Sequence, residues 1–187
     1  MTERPQQGKH GATYDDLLRA PADKIAEILD GKLVLTPIPP LECSYVTGCI
    51  IGDLGPLHSR ELGWRFILRV EFHLRDDIVV PDLAGWRRTR MPQSPKGAFC
   101  TVAPDWVCEV ISPATAACDR TVKMEIYKRE QVGHVWLIDP ALRIIESYRL
   151  REGQWIRAQA AHGNLSVHLE PFAEIELDLS SWWGELP

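Results

Sequence analysis

Long apolar runs are missing from this 187-residue sequence: none reaches the roughly 18 residues that a membrane-spanning helix needs. The first eight residues also lack the apolar core of a secretory signal. We therefore expect a cytoplasmic protein with no membrane partner. Net positive charge is missing too, because 21 Lys and Arg residues stand against 26 Asp and Glu residues, a formal charge of −5. Nucleic-acid binding through bulk charge is thus disfavoured, although a local basic patch stays open.

Cysteine and histidine patterns typical of metal sites are absent as well. The 5 cysteines are odd in number and contain no Cys-x-x-Cys pair. Neither a closed disulfide framework nor a structural zinc site is predicted from them. The 6 histidines are scattered, without ligand spacing between any two, so we expect them to be structural or surface residues.

A single domain is predicted over residues 13–187, preceded by a flexible polar segment at 1–12. Thr13 is suited to cap a short helix at the start of the domain. Asp30-Gly31 is suited to the tight turn of a β-hairpin. A helix should follow the hairpin and end near Gly55.

The rest of the chain alternates between strand and helix patterns. We predict that a strand over 64–74 pairs with one over 78–83, and that a strand over 105–111 leads into a helix over 115–131. Successive shorter strands are predicted at 134–138, 143–150, 154–158, 165–169 and 175–179. The predicted fold class is α/β or α+β, with one central mixed β-sheet flanked by helices and an added β meander toward the C-terminus.

Two carboxylates interrupt strongly apolar stretches: Asp82 follows Val79-Val80-Pro81, and Glu109 lies inside a run from Trp106 to Ile111. A buried carboxylate must be paired, hydrogen-bonded or bound to a metal, because its desolvation is costly. Two carboxylates and a backbone carbonyl form an incomplete Mg²⁺ shell that leaves positions for water and a phosphate oxygen. The pair therefore indicates a site for metal-assisted phosphodiester hydrolysis.

A lysine is available on the helix that follows. Asp119, Lys123 and Tyr127 are spaced at i, i+4 and i+8, so they share one helix face. Lys123 could point toward the preceding strand, orient the attacking water and offset charge in the transition state. A surface ion pair between Asp119 and Lys123 is the alternative, and the spacing alone favours it.

Together these motifs resemble the Uma-type restriction endonuclease family of the PD-(D/E)XK nuclease superfamily. The resemblance is carried by APDWVCEVISPAT at 103–115, by the shared helix face described above and by VGHVWLIDP at 132–140. It extends upstream through VPDL at 80–83 and the EILDGKLV hairpin at 27–34. It covers nearly all of the chain after the first dozen residues.

The resemblance implies a mixed β-sheet flanked by helices and divalent-metal-dependent cleavage of DNA, with Mg²⁺ as the cofactor and Mn²⁺ as a substitute. It further implies that Asp82, Glu109 and the carbonyl of Val110 hold the metal. The superfamily usually places its lysine two residues after the glutamate, where this chain has Ile111. Lys123 would then fill that role from the helix.

Two further positions bear on activity. Glu27 matches an acidic residue of the family's first elements, where it would be an extra ligand or a water-positioning base; a hairpin surface charge is the alternative. Cys43 stands where relatives commonly have a histidine, and a neutral thiol cannot replace an imidazole as base or phosphate contact. This departure motivates a second hypothesis, a weakly active or inactive nuclease-fold protein that serves as a DNA-binding or protein-interaction module. A third hypothesis is a hydrolase of small phosphoesters.

The loop at 87–103 is the most basic stretch of the chain, and it contains Arg87, Arg88, Arg90 and Lys96. It could contact a phosphate backbone, or it could be a solvated flap. A symmetric homodimer would ease double-strand cleavage, because each protomer brings one site. We expect Trp182-Trp183 to pack within the chain rather than in a dimer contact.

Overall fold

The structure, a computed structural model, describes residues 11–55 and 63–184. Its helices are α1 (Tyr14–Leu18), α2 (Leu41–Asp53) and α3, which joins Ala116–Cys118, a π-helical stretch Asp119–Lys123 and Met124–Arg129. A 3₁₀ helix spans Leu179–Trp183. Among the helices of these two ranges, none is long and apolar enough to cross a bilayer.

The strands, in chain order, are β1 (Lys24–Leu29), β2 (Lys32–Pro37), β3 (Trp64–Leu68), β4 (Glu71–Leu74), β5 (Asp77–Val79), β6 (Leu83–Arg87), β7 (Phe99–Cys100), β8 (Trp106–Val110), β9 (His134–Asp139), β10 (Ile144–Arg151), β11 (Gln154–His162), β12 (Ser166–Val167) and β13 (Leu177–Asp178). A six-stranded sheet has the order β11-β10-β9-β8-β6-β3, with β8 and β9 parallel and the other neighbours antiparallel. A five-stranded sheet has the order β2-β1-β5-β4-β7, and β12 pairs with β13. The mixed six-stranded sheet is the centre of the fold.

Both faces of the six-stranded sheet are covered, because alternate residues of its strands point to opposite sides. On one face, Trp106 and Cys108 of β8 pack in a cluster with residues of α2 and the 3₁₀ helix. On the other, Val107 and Ile111 pack in a cluster with α3 and the five-stranded sheet. Glu109 alternates with the first pair, so its side chain faces α3.

Several local predictions are confirmed. Thr13 caps α1, and its side chain accepts a hydrogen bond from the Asp16 amide. Asp30 and Gly31 form the hairpin turn with φ of 48° and 73°, the left-handed region for which glycine is suited. Trp182 is fully buried and packs within the chain. The central mixed sheet flanked by helices and the meander β9-β10-β11 are also confirmed.

The predicted single strand over 64–74 is wrong, because the chain breaks it at Arg69, which has φ of 43°. The first half, β3, belongs to the six-stranded sheet, and the second, β4, to the five-stranded sheet. The predicted partner over 78–83 also divides, into β5 and β6, with Asp82 between them. The two stretches therefore pair twice, in different sheets, where one sheet was expected. The alternating pattern is the same on both sides of the break, so it gave no sign of the change of sheet.

The expected flexible segment over 1–12 falls largely outside the described residues. At its end, the Ala12 amide donates a hydrogen bond to the Gly31 carbonyl at 2.8 Å.

Candidate active site

The candidate site lies where the chain passes between the two large sheets. Asp82 stands at the crossing from β5 to β6, Glu109 projects from β8, and Glu27 projects from β1 of the smaller sheet. Lys123 reaches the same place from α3. All four line one small cavity of about 20 Å³. Residues distant in sequence thus meet because two sheets and a helix share this junction.

Lys123 is the centre of the cluster. Its Nζ lies 3.2 Å from Glu27 Oε1, 3.3 Å from Glu109 Oε1 and 3.3 Å from Asp119 Oδ1. Each of these four side chains is at most 6% exposed. The surface ion pair considered for Asp119 and Lys123 is therefore wrong, and so is the surface placement of Glu27.

The charge state of Lys123 follows from these contacts. Burial alone would lower the pKa of an ammonium group, but the charges of Glu109, Glu27 and Asp119 raise the pKa of Lys123 well above its usual value. Lys123 is therefore positively charged at neutral pH. Its π-helical setting brings Asp119 and Lys123 together within one widened turn, and such turns are frequent at functional sites.

Glu109 is held from two sides. Besides Lys123, the Tyr127 hydroxyl donates a hydrogen bond to Glu109 Oε1. Burial, assisted by the charges of Asp119, Asp82 and Glu27, raises the pKa of Glu109 well above its usual range despite Lys123. A carboxylate in this state gains much from any additional positive charge nearby.

Asp82 has different partners. Its Oδ2 accepts a hydrogen bond from the Val110 amide at 2.9 Å, and Oδ1 lies 3.8 Å from Arg69 Nε. Burial raises the pKa of Asp82 although the Val110 amide and the charges of Lys123 and Arg69 oppose this. The Val110 amide thus fixes Asp82 beside Glu109, on the neighbouring strand.

The donor set fits a hard divalent cation. Glu27, Glu109 and Asp119 face one ammonium group, which leaves a formal excess of two negative charges when all are ionised. Asp119 Oδ1 is buried and has the ion pair with Lys123 but no hydrogen bond, and the cavity has room for a group about the size of one water. Over residues 11–55 and 63–184, no three His, Cys, Asp or Glu side chains form a ready metal cluster. A cation here would therefore have at most two carboxylate side chains as ligands, and water would complete an oxygen shell of the kind that Mg²⁺ prefers.

Other predicted features lie around this centre. Cys43 is buried in α2, with Sγ 3.8 Å from the Ile111 carbonyl. Three residues of the basic loop have partners inside the chain: Arg87 lies 4.5 Å from the Trp64 ring, Arg88 Nε donates to the Trp64 carbonyl, and Arg90 pairs with Asp105. All five cysteines are free.

Two contacts were missed from the sequence. Tyr127 was placed on the helix face of Lys123, but its bond to Glu109 was not predicted. Arg69 was not considered, because the strand pattern gave no sign that the chain turns there.

A central mixed sheet flanked by helices, with carboxylates on neighbouring strands and a lysine beside them, defines the restriction endonuclease-like class of nuclease fold. Residues 12–180 match the Uma2 family, described as "Putative restriction endonuclease". The chain belongs to this family, as the sequence resemblance predicted.

A solved structure has the same fold. It is described as "a putative nuclease belonging to DUF820" from Anabaena variabilis ATCC 29413, and its TM-score is 0.71 at 22% sequence identity. The match covers 92% of this chain and 98% of that chain. No curated protein matches the chain.

Proposed function

We propose that this protein is a metal-dependent endonuclease that hydrolyses phosphodiester bonds of DNA. The observation that carries the proposal is the buried cluster in which Glu27, Glu109 and Asp119 meet Lys123 beside Asp82. A structural role alone needs no excess of buried carboxylates, because each one costs desolvation free energy. An excess of this kind is what a bound divalent cation compensates.

Asp82, Glu109 and the carbonyl of Val110 would hold Mg²⁺, or Mn²⁺ in its place. When bound, this ion supplies an acidified water and neutralises charge on the phosphate. Tyr127 and the Val110 amide keep the two carboxylates in place through their hydrogen bonds. They do so before any substrate arrives, which lowers the reorganisation that hydrolysis requires.

Lys123 would orient the attacking water, and Glu27 would accept its proton. Lys123 holds its positive charge inside the cavity and can orient a water there by donating a hydrogen bond. Glu27 Oε1 accepts a hydrogen bond from the Val80 amide at 2.7 Å and lies 3.2 Å from Lys123 Nζ, so the carboxylate is held at the cavity, where it would act as the water-positioning base.

Plasmid cleavage tests the proposal. Supercoiled DNA is incubated with the wild type in Mg²⁺, in Mn²⁺ and in EDTA, beside Asp82→Asn, Glu109→Gln and, as the matched control, Glu176→Gln, an exposed carboxylate. We expect metal-dependent nicking by the wild type and the control only, and calorimetric Mn²⁺ binding that is lost in Glu109→Gln. Cleavage by Asp82→Asn or Glu109→Gln at the wild-type rate would refute the assignment of the site.

A second function is favoured by one observation: Cys43, which stands where the family resemblance implies a histidine, is buried. Burial raises the pKa of the Cys43 thiol to about 11, so it stays neutral and supplies no base. In this alternative the protein binds DNA or a protein partner without cutting. Salt-dependent DNA affinity without cleavage in any divalent metal would support it.

The proposal extends to assembly and location. A homodimer would present one site to each DNA strand, and a cytoplasmic protein would meet DNA directly. Sedimentation at working concentration tests the dimer, and a monomer there would count against it.

A further inference from the structure

The proposed hydrolysis needs a cation that touches the scissile phosphate, and Lys123 is not free to do so. Three carboxylate oxygens lie within 3.3 Å of Lys123 Nζ, and the side chain is only 6% exposed. A phosphate that drew the ammonium toward itself would take it away from the buried carboxylates that share it. A second positive charge at the mouth of the site would avoid this loss.

Arg69 has the position for this task. Its Nε lies 3.8 Å from Asp82 Oδ1, and its backbone amide donates to the Asp82 carbonyl at 3.2 Å. The Arg69 side chain is 38% exposed, whereas that of Asp82 is 12% exposed. Arg69 therefore reaches the site from the solvent side, where a DNA strand must enter.

Most donors of Arg69 are also available. Its guanidinium carries five N–H groups. Within the described part of the chain, one of them makes a hydrogen bond, from Nη2 to Ser44 Oγ at 3.5 Å. The 3.8 Å contact to Asp82 is an ion pair beyond hydrogen-bond distance. The planar fork of a guanidinium matches two phosphate oxygens, which is why arginine serves bidentate phosphate recognition.

The backbone holds Arg69 in this place at a cost. Its φ of 43° lies in the left-handed region, which an arginine enters with strain. The turn at Arg69 also moves the chain from the six-stranded to the five-stranded sheet. The side chain is thereby carried to Asp82 by the same break that brings the two sheets together.

We propose that Arg69 binds the scissile phosphate and is the substrate-contacting cation of this site, while Lys123 holds the carboxylates. This inference rests on the proposed endonuclease function. It assigns to Arg69 the bidentate contact to the non-bridging phosphate oxygens.

The test compares two arginines that share a backbone conformation. Arg69→Gly removes the guanidinium and relieves the positive φ, since glycine adopts it freely. Arg75→Gly is the matched control, because Arg75 also has a positive φ, of 53°, and pairs with a carboxylate, Glu130, at 3.2 Å. Arg69→Lys keeps the charge without the fork.

Three readouts decide the outcome. Single-turnover cleavage should slow at least tenfold in Arg69→Gly, recover in part in Arg69→Lys and stay within twofold in Arg75→Gly. The Mn²⁺ affinity measured by calorimetry should not fall in Arg69→Gly, because the variant removes a positive charge near Asp82 that would repel the metal ion. Binding of a fluorescent DNA oligonucleotide in Ca²⁺, followed by anisotropy, should weaken, with a slope of log affinity against log salt shallower by about one.

The outcomes separate this inference from the proposed function. If Arg69→Gly binds the oligonucleotide with the affinity and salt slope of the wild type and cleaves at the wild-type rate, the inference about Arg69 is overturned and the proposed nuclease function is not. Slower cleavage with a matching loss of Mn²⁺ affinity would also overturn it, since Arg69 would then act through Asp82. A wild type that does not cleave but shows the Arg69-dependent salt slope would refute the nuclease and keep the phosphate contact. If the wild type neither cleaves DNA nor binds the oligonucleotide, both the proposed function and this inference are overturned.

Discussion

Lys123→Met should destabilise the folded protein strongly, because it leaves Glu27, Glu109 and Asp119 buried together without their cation. Removal of one partner from a buried ion pair typically costs about 3–5 kcal/mol. Domains of this kind are stable by about 5–15 kcal/mol, so the loss is a large fraction of the total. For a chain of this length, it corresponds to a fall of roughly 6–20 °C in Tm.

The loss should depend on pH in a defined direction. The pKa of Glu109 is already raised in the folded protein and should rise further without Lys123. A folded pKa above the unfolded one means that the folded state binds more protons between the two values. Stability of the variant should therefore fall as pH rises through that interval and recover as the solution is acidified toward the usual carboxyl pKa.

Urea unfolding followed by tryptophan fluorescence measures the effect, because Trp64, Trp86, Trp106, Trp136 and Trp182 are fully buried. Lys128→Met is the matched control on the same helix, since Lys128 pairs with the exposed Glu125 and should cost under about 1 kcal/mol. Mn²⁺ should stabilise Lys123→Met more than the wild type, since it can replace the lost charge. A loss in Lys123→Met no larger than in the control would refute the role given to Lys123.

Three further outcomes are expected. Tyr127→Phe should lose about 1–3 kcal/mol of unfolding free energy in urea titrations, because Glu109 loses a buried donor; unchanged stability would contradict this. Burial disfavours the charged form of Glu146, but hydrogen bonds and charge from Arg120 hold its pKa below the usual value. Charged Glu146 thus stabilises the fold above its unfolded pKa, so Glu146→Gln should cost under about 1 kcal/mol at pH 7. The stability difference between the wild type and Glu146→Gln should vanish as pH falls through the pKa of Glu146 in the folded protein. Thermal melts that show the same difference at every pH would argue against this role of Glu146. Burial raises the pKa of Cys43 to about 11, so its iodoacetamide labelling at pH 8, located by mass spectrometry, should be slow, and rapid labelling of the folded protein would contradict its burial.

The candidate site could be predicted from the sequence to the extent that its chemistry is local. Asp82 and Glu109 stand out because a carboxylate inside an apolar run needs a partner, and Lys123 because helical spacing places it beside that strand. Their contacts could not be obtained in the same way. Spacing on a helix is identical for a buried and an exposed ion pair, so only the packing of α3 on β8 decides that Asp119 and Lys123 are buried.

The division of these strands between two sheets could not be predicted from the sequence pattern for a related reason. Alternation of polar and apolar residues reports which face a residue occupies, not which sheet its strand joins. The break at Arg69 depends on a positive φ at a residue other than glycine, which no composition signal marks. The contact of Arg69 with Asp82 was missed because of that same break.

The location of the lysine on α3 follows from the geometry of β8. Residues i and i+2 of a strand face the same side, so a lysine two residues after Glu109 would lie on the face that α3 covers. That position is Ile111, which packs in the core beneath α3. A lysine projecting from the covering helix reaches Glu109 from above the same face and leaves the strand position for apolar packing. The electrostatic requirement is a cation over the glutamate, and either the strand or the helix that covers it can supply one.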